Sequence, residues 1–135
     1  MKTRFGFVPL RLIVLLAWGA LAITLTTQSD RLPLVHLMSS TIGSTEFGDA
    51  LGHAGLFGVL MFAVYMVMAI RLKREWALPL AMLVVLSLGG LTELAQFGVF
   101  QRSPSISDLL ANSLGVFVVG FAMSYLSILR SRHAL

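Results

Sequence analysis

The chain has 135 residues, 57% of them hydrophobic and only 12% charged, with a mean hydropathy of +0.89. A soluble domain carries about a quarter of its residues as Asp, Glu, Lys and Arg, so this composition excludes a water-facing globule and indicates an all-α polytopic membrane protein forming one domain. There are no cysteines, which removes disulfides and thiolate chemistry, and the net charge of +4 fits the basic ends of membrane helices rather than nucleic-acid binding.

Four apolar segments are expected to cross the bilayer, at about 12–26, 51–70, 76–97 and 107–129. At about 20 residues per span they use most of the chain. The first follows Lys2, Arg4 and Arg11 and has a competing reading as a cleaved signal peptide, with Ala20-Leu21-Ala22 as the cleavage motif. Its apolar core before that motif is short, and the run continues to Leu25. The tract 27–48 is polar and rich in Ser and Thr and reads as a long loop; 71–75 is a short basic turn; 98–106 contains Pro104 and several Ser and reads as a second turn. With the N-terminus in the cytoplasm, Lys2, Arg4, Arg11, Arg71, Lys73, Arg74, Arg130 and Arg132 are inside, and only Arg31 and Arg102 are outside. The positive-inside rule therefore expects a multi-pass protein of the plasma membrane with both termini cytoplasmic.

Polar residues interrupt the apolar segments at one depth. Asp49 and His53 share a face of the second segment, Glu93 and Gln96 a face of the third, and Asp108 and Asn112 a face of the fourth. Each pair lies within about 6 Å of rise along its helix, near the outer end. A charge facing lipid costs about 2.5–3.5 kcal/mol, a cost largely avoided when such groups face one another or a wet pocket. Small residues beside them, including Ala50, Ala54, Gly58, Gly89, Ala111 and Gly115, allow close helix contact. Structural roles compete at each position. Asp49 reads as an N-cap, Ser105-x-x-Asp108 as a capping box, His53 as an interface histidine, Gln96 as an interfacial amide, and Arg102 as a solvated turn charge. Glu93, flanked by apolar residues within a span, is the least easily explained as structural.

The ordered set Asp49-x-x-x-His53, Glu93-x-x-Gln96, Arg102-Ser103 and Ser107-Asp108-x-x-x-Asn112-x-x-Gly115 resembles the VanZ-like family of small bacterial membrane proteins, over about 49–120. The chain departs from the family's pattern beside His53, where Gly52 and Ala54 stand, in the turn at Phe100-Gln101, and in Gly120, which follows Gly115 by five residues rather than four. The resemblance implies a link to reduced sensitivity to glycopeptide antibiotics of the teicoplanin type, which act at the outer face of the cell.

Four kinds of function compete. The first is a sensor or modifier of an envelope component, in which Asp49, His53, Glu93, Gln96, Arg102, Ser103, Ser107, Asp108 and Asn112 line a site for a lipid-linked or amphiphilic ligand and Arg102 pairs an anionic group. The second is a membrane enzyme with Glu93 or Asp108 as general base and His53 as acid or base. Asp49, His53, Glu93 and Asp108 could instead hold a divalent cation, but no dedicated metal motif such as H-E-x-x-H is present, so neither a metal nor another cofactor is expected. An ion path is disfavoured because the cytoplasmic halves of the spans offer almost nothing ionisable, and a purely structural polar clamp completes the alternatives. The lipid bilayer is the one partner the composition requires.

Overall fold

The computed structural model describes residues 7–27, 45–98 and 104–132. They form four helices: α1 (Phe7–Thr27), α2 (Glu46–Met68), α3 (Arg74–Ala95) and α4 (Ile106–Arg132), with a short 3-10 turn, Gln96–Gly98, extending α3. Three of them, α2, α3 and α4, are long and apolar enough to cross a membrane; α1 carries a shorter apolar stretch, Leu12–Thr24.

The helices end close to the ends of the apolar segments, but α1 begins at Phe7 and α2 at Glu46, each five residues before the apolar run expected. The polar tract before α2 ends earlier than its composition suggests, because Thr45 starts the helix. Its backbone is extended (φ −127°, ψ 149°), and its hydroxyl accepts from the Gly48 N–H at 3.0 Å. That bond satisfies one of the orphan donors of the first turn. Asp49 is therefore not the N-cap expected from sequence; it lies inside the first turn, where its own N–H bonds Thr45 O at 3.0 Å.

α2 is the central element. It packs most extensively on α4 and also touches α1 and α3. Its buried residues, His53, Phe57, Leu60, Met61 and Val64, recur at the three- and four-residue spacing of one helical stripe. On α3 the buried stripe is Ala77, Ala81, Val85, Gly89 and Glu93, a strict four-residue repeat. On α4 Ala111, Asn112, Gly115, Val116 and Gly120 face inward. Phe57, Leu60, Met61, Val64, Ala81, Val85 and Val116 form the core, with Ala22 of α1 against it. The indole N–H of Trp18 bonds Leu56 O at 3.0 Å and ties α1 to α2.

The outer surface is apolar. Ile13, Leu16, Phe62, Leu83, Leu91, Leu114, Phe121 and Tyr125 are all exposed. An exposed apolar surface of this extent needs apolar surroundings. The hydroxyls of Ser87 and Ser113 bond carbonyls of their own helices at 2.8 Å, as lipid-embedded hydroxyls must where water is absent. At the end of the bundle bearing the α2–α3 turn, Arg74 Nη2 donates to Met123 O at 2.7 Å, fixing the start of α3 to α4.

Candidate functional site

Helical register explains why polar groups enter the core at the other end of the bundle. His53 occupies the position one turn before Phe57 on the α2 stripe. Glu93 falls one turn after Gly89 on the α3 stripe, and Asn112 lies between Ala111 and the close-packed Gly115 of α4. A residue in those registers faces the neighbouring helices whatever its polarity. His53, Glu93, Gln96 and Asn112 are accordingly buried, at 6%, 5%, 0% and 2% exposure, and Thr92 is buried beside them.

Between α2 and α4, His53 Nδ1 lies 2.9 Å from Asn112 Oδ1. The amide oxygen accepts, so Nδ1 carries the hydrogen and Nε2 is turned the other way. Nε2 is 3.9 Å from Asp108 Oδ2. That separation is beyond a hydrogen bond. Asp49, exposed one turn before His53, joins the group: one ligand atom each of Asp49, His53 and Asp108 all lie within 4.8 Å of one another.

Between α3 and the start of α4, Glu93 is held from two sides. Its Oε2 accepts from the Ser105 N–H at 3.1 Å, and its Oε1 faces Gln96 Nε2 at 3.5 Å. Ser105 caps α4, its hydroxyl accepting from the Asp108 N–H at 3.3 Å. Half of the expected Ser105-x-x-Asp108 capping box is therefore present. In a complete box the Asp108 carboxylate would take the Ser105 N–H. Glu93 takes it instead, from another helix, and the Asp108 carboxylate turns toward His53. The cap of α4 is thus completed in trans by α3, and this exchange divides the polar set into two halves. One is Asp49–His53–Asp108–Asn112; the other is Glu93–Gln96–Ser105. Glu93 does not belong to the Asp49, His53 and Asp108 group with which the sequence places it.

Beside Glu93 lies an open groove of about 360 Å³. Its walls are Gly90 and Leu94 of α3 and Pro104, Ile106 and Leu109 at the start of α4, with Glu93 and Ser105 as its polar members.

Of the remaining candidates, Ser107 is exposed on the first turn of α4, away from the buried stripe. Arg102 and Ser103 lie outside the described residues. Sequence reasoning misses Ser105 as the link to Glu93 and Thr45 as the cap that sets the register of Asp49 and His53. Thr45 is findable, since Thr followed by Glu46 and Asp49 before an apolar periodic run is a helix-start pattern. The Glu93–Ser105 link has no local signal.

No family model, curated protein or solved structure matches this chain.

Proposed function

We propose that the chain is a VanZ-like integral membrane protein whose polar cluster faces the cell exterior and senses or acts on an envelope component, either a lipid-linked head group or an amphiphile. The observation that carries the reading is the placement of His53, Glu93, Gln96 and Asn112 in the core at one end of a bundle whose outside is apolar. Arg71, Lys73 and Arg74 mark the opposite end. Intramembrane ionisable and amide groups gathered away from lipid are functional candidates by default. Eight of the ten Lys and Arg residues fall on one side when α1 is taken as a fourth span. The positive-inside rule then puts that side, with both termini, in the cytoplasm and the polar end outside a bacterial plasma membrane. The ordered motifs over 49–120 support the family, and the family's link to glycopeptide sensitivity concerns the same face of the membrane.

In this reading Arg102, in the segment joining α3 to α4, pairs an anionic head group bidentately. Gln96 and the amide nitrogen of Asn112 supply neutral donors, and the apolar-walled groove beside Glu93 takes the hydrocarbon part of the ligand.

A structural clamp is the second reading, favoured by the His53–Asn112 and Glu93–Ser105 bonds, each of which joins two helices or a helix and the next helix's cap. The test is sensitivity to envelope-active antibiotics in a susceptible host expressing wild type, Glu93→Gln, Arg102→Ala or Asp108→Asn at matched membrane abundance. The expected result is that each variant loses most of the wild-type protection. A clamp predicts lower abundance and, once abundance is matched, an unchanged phenotype. Lipid analysis of the same strains separates binding from catalysis: an altered lipid product that disappears in Glu93→Gln and Asp108→Asn would make Glu93, Asp108 and His53 acid–base groups of an enzyme.

A further inference from the structure

The half of the cluster between α2 and α4 has the chemistry of a metal centre. Asp49 and His53 are one turn apart on α2, Asp108 faces them from α4, and one oxygen or nitrogen of each lies within 4.8 Å of the other two. Ligand atoms about 2.0–2.2 Å from a shared tetrahedral ion lie about 3.3–3.6 Å apart, so small side-chain movements close the three around an ion.

The histidine supplies an observation independent of the carboxylates. His53 is buried, and its Nδ1–H is taken by the Oδ1 of Asn112, itself only 2% exposed. Nε2 is thereby the ring nitrogen left on the side of Asp108, 3.9 Å from its Oδ2. In the neutral ring, the lone pair of that nitrogen beside two carboxylates completes a donor set that a divalent cation can bridge. Metal-bound histidines ordinarily give their second ring N–H to an oxygen that fixes the tautomer, and Asn112 stands in that position.

We propose that Asp49, His53 and Asp108 bind a divalent first-row transition-metal cation, with Asn112 as the positioning residue for His53. One imidazole and two carboxylates suit Zn²⁺ or Mn²⁺ better than Mg²⁺, which prefers an all-oxygen shell, or Cu⁺, which prefers sulfur. Three protein ligands leave at least one coordination position open. Asp49 is exposed, so that position is reachable from the polar end of the bundle. It would take water or an anionic oxygen; that it takes a head-group oxygen rests on the envelope-ligand reading, whereas the metal site does not.

The experiment uses the full chain, purified in mild detergent without a polyhistidine tag and stripped with chelator. Equilibrium binding is measured with Zn²⁺ alone and with Mn²⁺ alone, and Co²⁺ absorption reports the ligand field. Wild type is expected to bind one ion per chain with a nitrogen-containing ligand field. Asp49→Asn and Asp108→Asn each weaken binding by more than tenfold, and Asn112→Leu weakens it by about tenfold or more, as loss of an outer-shell partner does. Ser113→Ala, whose hydroxyl bonds only its own helix, binds as wild type. Asp49 is exposed, so Asp49→Asn remains informative even where changes deeper in the cluster impair folding. Absence of saturable binding by folded wild type, or undiminished binding by both Asp variants, overturns the site. Metal binding beside an unchanged antibiotic phenotype removes the envelope role and leaves the metal site; a site-dependent phenotype without metal binding does the reverse.

Discussion

Gly115→Ala is expected to destabilise the bundle by about 3 kcal/mol, the upper part of the range for overpacking a close-packed interface. A Cβ at Gly115 would overlap the Ala54 carbonyl oxygen and stand 2.8 Å from its carbonyl carbon and 3.0 Å from its Cα. These are backbone atoms of α2, so no side-chain rotation relieves the overlap; α2 and α4 must separate. Their separation would also pull His53 from Asn112, which lies three residues before Gly115 on the same packed face of α4. Gly55→Ala is the matched control. A Cβ there meets nothing within 4 Å. Removing a glycine from a helix interior is expected to stabilise by up to about 1 kcal/mol. Titration from mild to denaturing detergent, followed by tryptophan emission, measures both; Trp18 reports directly because its indole bonds Leu56 O. Equal midpoints for the two variants would mean that the backbones do not meet at Ala54 and Gly115.

Asn112→Leu is expected to cost about 2 kcal/mol, within the range for stranding a buried polar group. Leucine fills the space but offers no acceptor, so the His53 N–H is left unpaired in the core. The pair itself gains little, since interhelical hydrogen bonds in membranes average about 0.6 kcal/mol, but the orphaned donor keeps its full desolvation cost. The double variant His53→Leu with Asn112→Leu should therefore recover most of the loss. A double-mutant cycle in the same detergent titration checks this. Strictly additive losses would show that the two side chains do not pair.

Much of this arrangement is legible in the sequence, and the remainder is not for identifiable reasons. The apolar segments locate α2, α3 and α4 because a bilayer span needs a long apolar run. The four-residue spacings Asp49/His53 and Asp108/Asn112 place each pair on one face, since helical periodicity is a local property. The start of α2 at Glu46 is obscured by the polarity of Thr45, Glu46 and Asp49; a cap hydrogen bond, not hydrophobicity, sets that boundary. The small residues on α2 and α4 announce close packing but not that Ala54 meets Gly115, because which small residues meet depends on crossing angle and register. The exchange by which Glu93, rather than Asp108, takes the Ser105 N–H is a tertiary event between residues twelve apart. No spacing rule encodes it, yet it decides which carboxylate faces His53.

An outward-facing polar end is the premise of the envelope role, and one labelling experiment tests it. The chain has no cysteine, so a single one can be introduced by Glu46→Cys or by Lys73→Cys. Both positions are exposed; Glu46 opens α2 at the polar end, and Lys73 follows α2 at the basic end. Neither belongs to the cluster. Intact cells are treated with a membrane-impermeant maleimide. The expected result is that Glu46→Cys is labelled at once and Lys73→Cys only after the membrane is permeabilised. Labelling of Lys73→Cys in intact cells, with Glu46→Cys protected, would place the cluster on the cytoplasmic side and contradict an outward-facing site.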